Sequence, residues 1–399
     1  MANGAINRRL TGALSIGDLR KLAQRALPRV LFDYVEGGPD DEHGIVHNRE
    51  VFNRWALVPR YMQDVSDRST ATSILETRHS APFGVSPTGF AGLLRPRADL
   101  MLARAANEAG LPFVLSGVSN ATLESVAAEI GEALWFQLYP SRDRQISDDM
   151  VRRAGSAGVT HLVVTVDLPV TSNRERDARN GFGFPPALKP SGYLEAMTHP
   201  AWCLRYLTSG GAPLFANWTE YASENPSTSD VARLIKSNSP AMFTWSDVRR
   251  LRDSWPHKLI VKGILHPDDA LNAQRHGVDA VIISNHGGRQ LDRAIASINA
   301  LPLIRREVGD DFPLMIDGGV RRGSDIAIAL CLGANFVFVG RPTLYGVAAA
   351  GEAGASRAIQ ILRTEFDRVM GQLGATRPEI LDTSFLADSY CAAGSLRNA

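Results

Sequence analysis

The sequence predicts a TIM (β/α)8 barrel with an N-terminal helical cap and a long insertion after the fourth strand. Three observations carry that reading. Eight short apolar runs follow one another from Pro82 onward, and most are followed by an amphipathic segment such as ADLMLARAANEAG or GSDIAIALCLGA. The first run is not followed by the GxGxxG fingerprint expected of an open, doubly wound dinucleotide fold. Every run also ends on polar or glycine residues, where barrels of this kind keep their active sites.

Residues 1–80 lack the strand–helix rhythm and form the expected cap segment. Within them SIGDLRKLAQRAL reads as a helix with Ser15 as its N-cap, expected to lie over one end of the barrel. The strands are expected at Pro82–Pro87, Phe113–Ser116, Leu134–Tyr139, Leu162–Asp167, Leu259–Gly263, Ala280–Ser284, Leu314–Asp317 and Phe336–Gly340. Between the fourth and fifth strands, residues 168–244 far exceed the ~2–6 residues of an ordinary βα loop. That stretch is rich in Pro, Gly, Ser and Asn, and it holds the apolar patch PAWCLRYLTSGGAPLFANW. It reads as a lid, an oligomer contact or a surface that meets a membrane. No second domain is needed, and residues 1–399 are read as one unit.

Composition narrows the function. Lys plus Arg number 43 and Asp plus Glu 42, so no bulk charge draws the chain to nucleic acid. Cys203, Cys331 and Cys391 are far apart in sequence and show no metal-ligand spacing, so no metal is expected and the thiols read as reduced. MANGAINRRL is followed by no apolar stretch of the kind a signal peptide needs. No run of ~18 apolar residues suits a bilayer span. A cytoplasmic protein is the expectation.

The strand ends give the candidate chemistry: Pro87, Thr88 and Gly89; Ser116; Gln137 and Tyr139; Thr165 and Asp167; Lys262; Ser284, His286 and Arg289; Asp317, Gly318 and Gly319; Gly340 and Arg341. Glycines after the last two strands, with Arg321 and Arg341 near them, match the phosphate site of such barrels, though any single Gly-Gly is more often a turn. Lys262 ends the apolar strand LIVKGI, and a buried ammonium needs a partner. That partner is either an Asp on a neighbouring strand or a bound, electron-rich ring. In SNHGGRQLD an arginine beside His286 disfavours the imidazolium, which suits a proton acceptor, while Arg289 offers a fork for a carboxylate. Asp167 could stabilise the imidazolium once formed. A base next to a carboxylate clamp points to an acid as substrate.

Taken together, LPRVLFDYVEGGPDDEHG, SNHGGRQLD, DGGVRRGSDIAIALCLGA and GRPTLYG resemble the FMN-dependent 2-hydroxy acid dehydrogenase and oxidase family over nearly the whole chain. DYVEGG, ERD and WPHKLIVKGIL resemble the branch that acts on (S)-mandelate. The resemblance implies FMN as cofactor and oxidation of an (S)-2-hydroxy acid. It makes His286 the base and Asp167 its partner, and it places Tyr34, Arg174, Arg289 and Tyr139 around the substrate. Pro87, Thr88, Gly89, Ser116, Gln137, Thr165, Lys262 and Ser284 are implied around the flavin ring and ribityl chain. Asp317, Gly318, Gly319, Arg321, Gly340 and Arg341 are implied toward ribityl and phosphate. The base removes either the hydroxyl proton during hydride transfer or the Cα proton; both routes need it in the same place.

Finer expectations follow from the same resemblance. Gly89 stands where oxidases of the family tend to have alanine and quinone-linked dehydrogenases glycine, which favours a quinone or similar acceptor over oxygen. Gly117 and Val118 leave room for a phenyl ring, favouring mandelate, with L-lactate as the alternative. The 168–244 insertion resembles a membrane-associating segment, so the expected place is the cytoplasmic side of the inner membrane, held peripherally. A homotetramer is implied by relatives. An FMN barrel of the isopentenyl diphosphate isomerase kind would lack the His286–Arg289 pair, and a non-catalytic scaffold would have lost base or clamp.

Overall fold

The computed structural model describes residues 10–183, 190–238 and 242–388. Eight parallel strands close into a barrel: β1 Phe83–Val85, β2 Phe113–Ser116, β3 Leu134–Leu138, β4 His161–Thr165, β5 Lys258–Ile264, β6 Ala280–Ile283, β7 Leu314–Asp317 and β8 Phe336–Val339. Closure is made by β8 on β1, with Phe338 opposite Gly84. All eight coincide with the apolar runs, and burial explains why those runs are unbroken. In β3, Trp135 points into the lumen among Val114, Val163, Ile260, Ile282, Met315, Phe336 and Phe338. Its neighbours Leu134, Phe136 and Leu138 face the outer helices. A strand buried on both faces has no position left for an alternating polar residue.

Ahead of the barrel come α1 Ile16–Ala26, α2 Arg29–Glu36 and α3 His43–Glu50. The barrel and insertion then add α4 Ala98–Glu108, α5 Leu123–Ile130, α6 Arg144–Ser156, α7 Glu175–Arg179, α8 Pro190–Met197, α9 Pro200–Thr208, α10 Thr228–Ser237 and α11 Trp245–Ser254. After them come α12 Pro267–Arg275, α13 Ser297–Val308, α14 Gly323–Cys331, α15 Arg341–Ala350 and α16 Glu352–Leu373.

Helix α1 starts where expected, with Ser15 and Asp18 forming a reciprocal capping box. Its position corrects the sequence reading. Its buried face packs on α15 and α16 at the barrel's flank, and the mouth is crossed by α2 instead. The far end of the barrel is also closed by the N-terminal segment. A hairpin of Thr72–Ile74 and Thr77–His79 inserts Ile74 into the lumen cluster. Residues 1–80 therefore serve both ends.

The insertion is fastened to α2. Glu195 of α8 accepts the Arg29 backbone N–H at 3.0 Å, at the helix start where such donors lack partners. Asn180 donates to Asp33 at 2.9 Å, and Arg176 pairs with Glu42. Further on, Asn217 accepts from the Leu123 N–H and donates to Ser119 Oγ, tying residues 214–221 to the loop after β2. Tyr193, Leu194, Met197, Leu204 and Leu207 stay exposed on α8 and α9. No helix among the described residues is long and apolar enough to cross a membrane. Cys203 and Cys331 are free thiols, and Cys391 lies outside the described residues.

Candidate active site

A cavity of about 700 Å³ opens at the C-terminal ends of the strands beneath α2. Of the residues singled out from the sequence, Tyr34, Pro87, Thr88, Gly89, Tyr139, Thr165, Arg174, Lys262, His286, Arg289, Asp317, Gly318, Gly319, Arg321, Gly340 and Arg341 all line it. Asp167, Ser116 and Ser284 stand behind that lining, bonded to His286, Val118 and Lys262, and Gln137 accepts from Ser116 at 3.1 Å.

The centre is a histidine held from behind. His286 Nδ1 lies 2.9 Å from Asp167 Oδ1, and its Nε2 lies 3.4 Å from the Tyr139 hydroxyl. With Nδ1 facing a carboxylate, the hydrogen bonds assign the proton there and leave Nε2 as the acceptor. Burial works to raise the Asp167 carboxyl, but the charge and hydrogen bond of His286, helped by Lys262, hold it below the ordinary carboxylate value. Burial, with Asp167 and Tyr34 adding to it, pushes the Tyr139 phenol well above its usual value, so it remains a hydroxyl donor.

Arg289 is half-buried over the Tyr34 ring, 5.0 Å from its centroid. One of its nitrogens donates to the carbonyls of Tyr34 and Gly37 at 2.7 and 2.8 Å, the end of α2 where carbonyls lack helical partners. Burial, and then the neighbouring Arg174, pull this guanidinium down to about 9. Two cations facing one cavity make a strong attractor for an anion.

The lysine question resolves in favour of an ion pair that still faces the cavity. Lys262 Nζ lies 3.1 Å from Asp317 Oδ2 and donates to Ser284 Oγ at 2.9 Å. Ser284 in turn donates to Asp317 Oδ1 at 2.5 Å and accepts the His286 backbone N–H at 3.0 Å. This one hydroxyl links the ammonium to the loop that carries the base.

Two positions carry more than the sequence reading gave them. Arg341 donates to the carbonyls of Val35 and Gly287, both at 2.8 Å, so its side chain also fastens the cap and the loop of the base. Gly319 has φ +82, and a Cβ there would lie 2.0 Å from the Asn48 carbonyl of α3. That glycine is demanded by the cap as much as by any ligand. Sequence reasoning missed Ser86, which donates to Asp317 at 3.1 Å. It also missed Asp177, whose buried Oδ1 has no partner among the described residues and whose carboxyl burial raises against the pull of Arg289 and Arg174. Ser86 sits one residue before the strand-end triplet and Asp177 inside the ERD motif, so position alone could have flagged both. The pocket wall from the insertion was only half legible: Phe215 and Trp218 fall in the apolar patch singled out above, while Ala232 and Ile235 carried no readable signal.

The residues present fit an FMN. Buried Gln137 Nε2 and Thr165 Oγ1, on adjacent strands, have no hydrogen-bond partner among the described residues. Leaving such groups unmet costs ~1–3 kcal/mol each, and the carbonyls and ring nitrogens along a flavin edge would satisfy them. Lys262 adds a buried cation to the same wall. At the other end, Gly319 and Arg321 precede α14 and Gly340 precedes α15, a pair of helix N-termini suited to a phosphate.

Comparison with known proteins agrees with this geometry. A family model described as FMN-dependent dehydrogenase matches residues 23–388. The chain is 44% identical over 370 residues to (S)-mandelate dehydrogenase of Pseudomonas putida, covering 93% of this chain and 92% of that protein. It is 41% identical over 370 residues to a putative L-lactate dehydrogenase of Mycobacterium tuberculosis, covering 92% and 88%. The crystal structure of the monotopic membrane protein (S)-mandelate dehydrogenase superposes with a TM-score of 0.91 at 43% identity, over 94% of this chain and 99% of that one.

Proposed function

Because the chain belongs to the FMN-dependent dehydrogenase family, we propose that it oxidises (S)-mandelate, or a close aromatic (S)-2-hydroxy acid, to the 2-oxo acid. One observation carries this reading: His286 Nε2, backed by Asp167, faces the same cavity as the Arg289 and Arg174 guanidiniums. Bound FMN supplies the two-electron acceptor for the hydroxyl-bearing carbon.

The rest of the chemistry falls to the chain itself. Arg289 and Arg174 bind the substrate carboxylate, with Tyr34 beneath them. Anchoring the carboxylate brings the hydroxyl-bearing carbon to His286, which removes a proton at Nε2. Asp167 accepts from Nδ1–H and stabilises the imidazolium that results. Tyr139 donates its hydroxyl toward the substrate oxygen. Phe182 and Phe215 help keep water away, which strengthens each of these contacts. Gln137, Thr165 and Lys262 would hold the flavin ring, with Ser284 and Ser116 supporting them from behind. Pro87, Thr88 and Gly89 would meet the ring's other side. Ser86 and Asp317 would meet the ribityl chain, and Gly318, Gly319, Arg321, Gly340 and Arg341 the phosphate end.

The setting is part of the same proposal. Exposed apolar residues on α8 and α9, together with the monotopic relative, support peripheral attachment to the cytoplasmic face of the inner membrane. A membrane quinone is the proposed electron acceptor, residues 1–399 act as one functional unit, and the protein assembles as a homotetramer. L-Lactate is the second reading, favoured by the lactate-type relative. Anaerobic mixing of the yellow holoprotein with (S)-mandelate, (R)-mandelate and L-lactate tests the reading. Fast bleaching by (S)-mandelate alone is expected; faster bleaching by L-lactate transfers the activity to that acid, and no bleaching overturns the catalytic assignment.

A further inference from the structure

Asp177 brings a carboxylate with no bonded cation into a cavity that already holds two guanidiniums. It is 6% exposed and lines the same cavity as Arg289 and Arg174. Its Oδ1 meets no hydrogen-bond donor among the described residues. Among those residues no ion pair within 4.0 Å joins it to either arginine, and neither arginine has another carboxylate at that distance. Arg289 donates instead to the carbonyls of Tyr34 and Gly37, and Arg174 to Ser172 Oγ at 3.2 Å. The three charges act on one another across the cavity rather than by contact, with Arg289 pulling on Asp177 more strongly than Arg174.

The chain holds the carboxylate in this place. Asp177 lies in the middle of α7, and its carbonyl accepts the Phe182 N–H at 2.8 Å. Its neighbour Arg176 turns away to Glu42 and Asp33. Asn180 then ties the end of α7 to Asp33 of α2, whose own charge is met by Arg29 at 3.4 Å and Arg176 at 3.7 Å. A buried carboxylate with no bonded cation is costly, so a purely structural role accounts for it poorly. Charge accounts for it better. Asp167 is committed to His286 and Asp317 to Lys262, which leaves Asp177 as the anion facing the arginine pair. Two unopposed guanidiniums would hold any carboxylate tightly, the 2-oxo product as firmly as the substrate.

We propose that Asp177 is the counter-charge of the arginine pair, weakening the hold on carboxylates so that the 2-oxo acid product is released. The inference rests on the proposed 2-hydroxy acid oxidation and adds to it a residue that sets anion affinity. Asp177 acts through the field at Arg289 and Arg174, not on the bond that is broken.

The test is anion binding to the oxidised holoenzyme, read from the perturbed flavin spectrum. Benzoylformate serves as a probe with one charge and oxalate as a probe with two. Asp177→Asn keeps the shape of the side chain and removes its charge. Benzoylformate should bind this variant about tenfold more tightly, and oxalate should gain by a larger factor, because repulsion scales with the charge of the bound anion. In stopped-flow reduction by (S)-mandelate the half-saturating concentration should fall likewise, while the limiting rate changes less. Asp177→Glu keeps the charge and should tighten neither anion. A side chain that only braces the arginines gives the opposite sign, so weaker or unchanged binding in Asp177→Asn overturns the proposal. Equal tightening of both anions also overturns it, since that marks a hydrogen bond from the new amide rather than a lost charge. Flavin absorbance reports retained FMN; where Asp177→Asn loses it, Asp177→Ser decides, and loss from both assigns the carboxylate to the fold and overturns the proposal. Failure of the unaltered holoenzyme to bleach with (S)-mandelate would instead strike the underlying oxidation chemistry.

Discussion

Asp167 Oδ1 lies 2.9 Å from His286 Nδ1, and the backbone is shaped around that contact at both ends. His286 itself has φ +57, followed by Gly287 at +65 and Gly288 at +76. A left-handed non-glycine residue costs ~1–3 kcal/mol and persists where surrounding structure insists on it. On the other side Gly263 has φ +105, and a Cβ there would lie 2.6 Å from the Asp167 Cβ. A β-strand that must let a buried carboxylate through has room for glycine only.

His286→Asn tolerates the left-handed backbone and removes the base. It should cut the flavin reduction rate by about 10²–10⁴-fold while leaving FMN bound. Asp167→Asn keeps a side chain of the same shape but loses the charge, and its rate should fall less than that of His286→Asn. Asp167 sits below the ordinary carboxylate value, so its contribution to stability is present above about pH 4 and fades only as pH falls further. The Asp167→Asn protein should therefore lose stability at neutral pH relative to the parent and converge with it in strong acid. Parallel melting curves at pH 7 and pH 3 check this, and a constant gap between the two proteins would refute it.

Gly89 offers a steric test of the flavin-side wall. A Cβ at this position would sit 2.7 Å from Val118 Cγ2. Val118 is β-branched and lines the cavity, so Gly89→Ala must push it into the substrate space or strain it by ~1–3 kcal/mol. Gly89→Ala should reduce the rate with (S)-mandelate, and Gly89→Ala with Val118→Ala should recover it. Rates that stay low in the double variant would place the effect on the flavin rather than on Val118.

The barrel was legible because each strand is buried on both faces, as Trp135 and Phe136 show by pointing to opposite sides. Its active-site ends were legible by position, which is how Lys262, His286 and Arg341 were found. What stayed hidden depends on distant chain segments meeting. The Lys262–Ser284–Asp317 link joins three strands, and Asn48 bonds Asn285 across 237 residues at 2.8 Å. The insertion was read as a lid, an oligomer contact or a membrane surface, and within it Ala232 and Ile235 form pocket wall. An amphipathic helix does not announce which cavity its apolar face will line. Helix α1 was correctly predicted as a helix but misplaced, since its apolar face fits the barrel flank as well as its end.

Membrane attachment can be tested on α8 and α9. Leu194, Leu204 and Leu207 are more than half exposed, and burying one such side chain in a bilayer interface is worth ~1.5–3 kcal/mol. Leu204→Glu with Leu207→Glu should lower co-sedimentation with anionic vesicles by at least about tenfold. Flavin reduction by (S)-mandelate should fall much less, because these residues do not line the cavity. Unchanged sedimentation would move the membrane contact elsewhere or remove it.

The closed end of the barrel predicts an acid limit on stability. His79 packs on Phe336 with the rings tilted and 5.5 Å apart, and His161 lies parallel to Trp135 at 4.4 Å; neither buried Nε2 has a partner among the described residues. Burial pulls both imidazoles down to about 4. For His161 the repulsion of His79, Lys258 and His257 adds to that effect, and Glu76 opposes it. A folded value below the unfolded one means the unfolded chain binds more protons between the two. Stability is therefore full above about pH 6.5 and is lost as the pH falls toward 4. At pH 5 each histidine would cost about 2 kcal/mol, together enough to lower Tm by roughly 5 °C in a chain of this size. Replacing both residues with phenylalanine keeps an aromatic ring at each place and removes the titration. The melting temperature of that double variant should vary less between pH 7 and pH 5 than the parent's, and identical slopes would show that the acid loss arises at other groups.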